Sequence, residues 1–247
     1  NLLKAVNGIK NPQVASGFAG MVNSAIGKFK TSAVGANARV VLQQHASYVR
    51  GSALLSPAAM TAAYFRSPRR GMQMARKYSA IAAWKHMGYF DMNIGRQMSA
   101  LINGNESTAE KIRQAAMKPA GLADDFTIGV LWNAAEIELG KTYKGDKRSE
   151  EFYKLVGEKL TEVIDRTQVV DTVFHRPQIM RDKDGLTKIA TNFMSEPIKT
   201  YNLLMGAVKT GDLKTIARTG TVALLSYVVV AMAAGFSDAA RDKDKEK

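Results

Sequence analysis

Helix-opening signals recur along this chain, and they constrain its fold more than any other feature. Ser56-Pro57 and Ser67-Pro68 each place a hydroxyl ahead of a proline. The hydroxyl can accept from the orphan N–H groups of a first turn, and the proline lacks an N–H only where none is needed. Ser107 with Glu110 has the spacing of a capping box. Asp124 or Asp125 can cap the next helix, Ser149 precedes the first-turn acids Glu150 and Glu151, and Asp212 opens the last helix. Between these signals apolar residues keep a 3.6 period, as in Phe126, Val130, Leu131, Ala134 and Ile137, and no stretch alternates with period two. The pattern predicts an all-α fold of about eight to ten helices with no sheet.

The glycines at 8, 17, 20, 27 and 35 interrupt any long period at the start, so residues 1–36 read as a Gly/Ala-rich lead-in. A basic helical region follows at 37–120, then a helical region at 121–237 with long helices and an apolar final helix, and a charged tail at 238–247. The expected elements are a helix over 36–52, one opened by Ser56, and one running from Ser67 to about Gly88. Next come a helix carrying Ile94, Met98 and Leu101, a short one ending before Pro119, and one from Asp124 or Asp125 to Gly140. Ser149 should cap a helix reaching about Phe174 and closed by Pro177. Another should run from Leu186 to about Thr210 with a kink around Pro197.

With 247 residues and 46% of them hydrophobic, the chain can bury a core. It has no cysteine, which removes disulfides, thiolate metal sites and cysteine nucleophiles and fits a reducing compartment or a particle assembled in one. His45, His86 and His175 lie far apart, and none has a second His, Asp or Glu three or four residues after it, so no metal site is expected. Gly140-Lys141-Thr142 mimics the end of a phosphate loop, but Ala135 stands where the earlier glycine belongs. The pairs Glu136 with Glu138 and Glu158 with Glu162 read as helix-surface residues, and no catalytic residues or cofactors are expected. The start, Asn1-Leu2-Leu3-Lys4, reads as part of a longer chain.

Charge is distributed unevenly. The net charge is +13, and residues 1–100 hold 13 Lys or Arg against the single acid Asp91. Such asymmetry fits an anionic partner: nucleic acid, a lipid headgroup surface or an acidic protein. The densest cluster is Arg66, Arg69, Arg70, Arg76 and Lys77, with Tyr64, Phe65 and Tyr78 among them. Guanidinium forks and rings of this kind suit phosphates and bases, and a solvated basic face with inward rings is the plain alternative. At the other end, Thr219 to Ser237 is a run of 19 uncharged residues, which at ~1.5 Å each nearly matches a bilayer core. Its many Ala, Gly, Ser and Thr residues favour a buried core helix. Membrane insertion and a partner interface stay open, through Leu224, Leu225, Tyr227, Val228, Val229, Ala231 and Gly235.

Thr167-Gln168, Arg176-Pro177, Arg181, Phe193 and Asn202 resemble the C-terminal helical region of the large polyvalent and internal virion proteins of bacteriophages. Asn37 with Gln43 and Gln44, and Asp125 with Trp132 and Ala135, are similar to two further helices of that family, so the resemblance covers roughly residues 35–205. It implies an internal virion or ejection protein, held inside the capsid and helping genome delivery across the host envelope. Such a protein works by assembly and binding, with other virion proteins and further copies of itself as partners, DNA and host membrane as additional ones, and no small-molecule substrate. The alternatives are a nucleic-acid-binding structural module and a non-catalytic segment of a large polyvalent enzyme. Gln168, Arg176, Arg181, Phe193 and Asn202 are expected to be structural. Gln168 and Asn202 would bridge helices through their amides, and the arginines would hold carbonyl ends. Met60, Met72, Met74, Met87 and Met98 would let the helices repack between a capsid form and an envelope form.

Overall fold

The computed structural model describes residues 38–88, 108–168 and 195–245. Over these the fold is all-α. The helices are α1 Ala38–Gly51, α2 Pro57–Tyr64, α3 Pro68–Tyr78, α4 Ala80–Gly88, α5 Thr108–Thr142, α6 Glu150–Thr167, α7 Ser195–Lys209 and α8 Leu213–Lys245, and no strand occurs among the described residues. Three caps form as their serines predict. Ser56 Oγ accepts from the Ala59 N–H, Ser67 Oγ from that of Arg70 and Ser149 Oγ from that of Phe152. Asp212 caps α8 by accepting from the Lys214 and Thr215 N–H groups and the Thr215 hydroxyl, and those bonds hold its pKa below the usual 3.8.

Helix boundaries depart from the sequence pattern in several places. The helix expected from Ser67 to Gly88 is broken at Ser79, which adopts an extended conformation (φ −126°, ψ 110°). Ser79 closes α3 by donating its N–H to Ala75 O and opens α4 by accepting from the Ala82 N–H on its Oγ. The same hydroxyl lies 2.8 Å from Thr161 Oγ1 on α6, so a tertiary contact favours the break. The end expected before Pro119 is absent. α5 passes through Pro119, which is exposed, so water can serve the Ala115 carbonyl that loses its partner. Asp124 is therefore not a cap. The division drawn at 120/121 falls inside this helix. α6 stops at Thr167, and α7 is described from Ser195 with Pro197 in its first turn. The extensions to Phe174 and back to Leu186, and the helix around Ile94, Met98 and Leu101, lie outside the described residues.

α5 is the axis of the molecule and packs against α1, α2, α3, α4 and α6. From Thr127 to Ala135 every residue is buried, because neighbours cover all sides of the helix. Trp132, Ile128 and Leu131 meet Leu55, Met60, Met72 and the α6 row Phe152, Val156, Leu160, Val163 and Ile164. α8 lies outside this core against α1 and α7.

The α3/α5 crossing is nearly backbone on backbone. A Cβ built on Gly71 would sit 2.1 Å from the Gly129 carbonyl oxygen, and one on Gly129 would sit 2.1 Å from that of Pro68. Asn133 Nδ2 donates to Ser67 O at the same crossing. At the far end of α3, a Cβ on Gly157 of α6 would lie 2.2 Å from Tyr78 O. Each blocking atom is main chain and cannot rotate away. Gly71→Ala or Gly129→Ala should lower stability in urea unfolding by roughly 3 kcal/mol. Gly220→Ala, in α8 with nothing within 4 Å of the new methyl, should raise stability by about 0.5–1 kcal/mol.

Candidate functional site

Two surfaces and one buried cluster hold the residues with functional potential. The basic cluster straddles the start of α3. Arg70 grips Glu136 of α5 with Nη1 and Nη2, at 2.9 and 3.0 Å, and Arg66 reaches the same carboxylate at 3.6 Å. The hydrogen bonds from Arg70 to Glu136 raise the Arg70 pKa. Arg76 pairs with Asp125 at 3.2 Å, and Lys77 Nζ sits 4.8 Å from the centre of the Tyr78 ring. Arg69 is exposed and takes part in none of these pairs. The structure therefore brings Arg66 and Arg70 onto one acid and Arg76 onto another, fastening α3 to α5. Tyr78 turns inward against Trp132 and Tyr153, while Tyr64 and Phe65 are exposed.

Glu136 and Glu138, read as surface residues, both join helices: Glu138 Oε2 accepts from the Ser56 N–H at the start of α2. Nothing in the local sequence announces either contact. The pairs formed by Arg70 are solvent-accessible, so Arg70→Ala should cost about 0.5–1 kcal/mol in urea unfolding, while Arg69→Ala should stay within about 0.5 kcal/mol of the parent.

The buried cluster is Lys85 of α4, Asp124 of α5 and Gln168 at the end of α6. Lys85 Nζ donates to Asp124 Oδ1 at 3.0 Å and to Gln168 Oε1 at 2.7 Å, with Asp124 and Gln168 almost wholly enclosed. Gln168 thus links α6 to α4 through its amide oxygen. Its Nε2 and the indole N–H of Trp132 have no partner among the described residues. Burial pushes the Asp124 pKa above 3.8 despite the attraction of Lys85. Ionising Asp124 therefore works against the fold: its favourable contribution is full below pH 3.8 and is lost as pH rises through the folded value. Removing one partner strands the other. Lys85→Met should cost roughly 3–5 kcal/mol in urea unfolding, and adding Asp124→Leu should recover most of it.

Of the other residues in the resemblance, Asn202 is exposed on α7, and Arg176, Arg181 and Phe193 lie outside the described residues. Asn37 lies outside them too, and Gln43 and Gln44 fall on α1. Trp132 and Ala135 are buried in α5.

The second surface is the α7–α8 arm. The expectation of a buried core helix does not hold: from Thr219 to Met232 only Thr219, Val222, Ala223 and Ser226 are buried. Leu224 (69% exposed), Leu225, Tyr227, Val228 and Met232 face outward, Ala231 and Gly235 are exposed, and Val229 is half-buried. The sequence separates a core helix from an outer one poorly, because both are uncharged. On α7, Tyr201, Met205 and Val208 extend the exposed apolar surface at helical spacing. Leu213–Met232 is long and apolar enough to cross a membrane, and 22% of an 18-residue window within it is buried.

The inner face of α8 is fixed to the body by a charged residue. The Arg218 guanidinium donates to the carbonyls of Ser52 and Leu55, just past the end of α1. Arg50 of α1, bonded to Ser47 Oγ, is so enclosed that its pKa falls to about 10, an effect that nearby Tyr227 of α8 opposes. Gly211 turns the chain between α7 and α8 with φ 68°, a conformation glycine adopts readily. Among the described residues no three His, Cys, Asp or Glu side chains group to hold a metal. No protein-family profile, curated protein or solved structure matches the chain.

Proposed function

We propose that this chain is a non-enzymatic assembly protein of a bacteriophage particle, of the internal virion or ejection kind, whose α7–α8 arm engages the host envelope. The observation that carries the reading is a helix of membrane-spanning length seated on a finished core with its apolar side outward. Contiguous exposed apolar patches of several hundred Å² are often functional and mark partner or membrane contacts. Supporting it are the resemblance over 35–205 and the cationic first 100 residues, which suit the anionic materials a particle contains and meets. Its partners would be further copies of itself and other virion proteins, and its location the capsid interior and then the envelope.

A second reading, a nucleic-acid-binding module, draws on the 13 cations of the first 100 residues. Arg69 is the clean probe for it, because Arg70 and Arg76 also fasten α3 to α5.

Mass spectrometry of purified particles should find peptides of this chain in intact virions and deplete them in emptied ones. The full chain should float with anionic vesicles, and Leu224→Glu should abolish flotation without unfolding it. Equal recovery from intact and emptied particles, or a chain that stays below the vesicles at every lipid composition, would overturn the reading.

A further inference from the structure

The outward side of α8 has an order that lipid contact does not require. Ala217, Thr221, Leu224, Val228, Ala231 and Gly235 are all exposed and uncharged. Their spacing alternates four and three, the period of a helix seam that packs knobs into holes. The buried residues Thr219, Val222, Ala223 and Ser226 lie on the opposite side of the helix, against α1 and α7. Among the described residues nothing covers the seam while the helix is docked, and from 217 to 235 it is about 27 Å long. Continued along the helical backbone, the same four-and-three spacing reaches position 214, a lysine, at one end and position 238, an aspartate, at the other.

We propose that this face of α8 pairs antiparallel with the same face of a second copy of this chain, about a two-fold axis level with Ser226. The inference rests on the reading of α8 as the working surface and names what covers that surface away from lipid. The stripe is symmetric about Ser226, so antiparallel packing sets Leu224 opposite Val228, Thr221 opposite Ala231 and Ala217 opposite Gly235. Large meets large at the centre and small meets small towards the ends, where the backbones can approach. Lys214 falls opposite Asp238 in both halves of the pair. A parallel pair would instead set Lys214 against Lys214 and Asp238 against Asp238. Charge complementarity thus selects the orientation.

The area is adequate. Leu224, Leu225, Tyr227, Val228 and Met232 are each 49–69% exposed. Together they leave on the order of 500 Å² open, and with the small seam residues and the exposed α7 side chains this approaches the ~800 Å² per partner of a stable interface. A symmetric contact of this kind closes on itself as a dimer and does not propagate.

The absence of cysteine from these 247 residues gives a clean test on this chain in lipid-free buffer. Chains carrying Leu224→Cys and chains carrying Val228→Cys, mixed and mildly oxidised, should cross-link to each other about tenfold faster than either variant alone, because only opposed positions meet disulfide geometry. Gln73→Cys, on exposed α3 surface, should stay uncross-linked. In sedimentation the parent should be a dimer. Val228→Lys should make it a monomer of unchanged helicity, and Lys214→Asp should weaken the dimer roughly fivefold with Asp238→Lys restoring it. A monomer at every accessible concentration overturns the pairing, and cross-linking only of like with like overturns its orientation. A monomer that still floats with anionic vesicles removes the pairing and keeps the envelope reading. A cross-linked dimer that never floats does the reverse.

Discussion

The separation of α3 and α5 is set by two missing methyl groups. At Gly71 and Gly129 the main chains come close enough that any Cβ would strike a carbonyl oxygen, and the surrounding contacts follow from that closeness. Asn133 can reach Ser67 O, Glu136 can hold Arg66 and Arg70, and Tyr78 can lie on Trp132 only because α3 lies this near. Gly157 repeats the device where α6 meets the end of α3. Three helices are thus packed at short range before any large side chain contributes, and Phe152, Leu160 and Ile164 fill the remaining space.

Fold class and most helix starts were legible because their causes are local. A serine followed by proline, or by two acids, acts within one turn of itself, and the caps at Ser56, Ser67 and Ser149 form accordingly. The boundaries that moved were decided by partners distant in sequence. Ser79 breaks a helix beside Thr161, and Pro119 does not break one because its side of α5 faces water. Asp124 had a capping residue's identity but is buried against Lys85, a pairing between residues 39 apart that no local pattern marks.

The candidate surfaces were legible in composition and not in state. The arginines around position 69 were visible as a cluster, but sequence could not show that Glu136 and Asp125 would meet three of them. The uncharged run in α8 was equally visible, yet its uncharged character is shared by the Thr127–Ala135 segment of α5, which is enclosed on every side. What distinguishes the two is the number of neighbours available. α5 is surrounded by α1, α2, α3, α4 and α6, whereas among the described residues α8 packs mainly on α1 and α7 and leaves Leu224, Leu225, Tyr227, Val228 and Met232 exposed.

Arg218 gives that openness a mechanical side. Its guanidinium supplies the donors that the chain past α1 lacks, so lifting α8 away would leave the carbonyls of Ser52 and Leu55 without their partner. The arm and the last turn of α1 are consequently one cooperative unit: whatever draws the arm outward also loosens the lead from α1 into α2, and the glycine-locked centre need not yield.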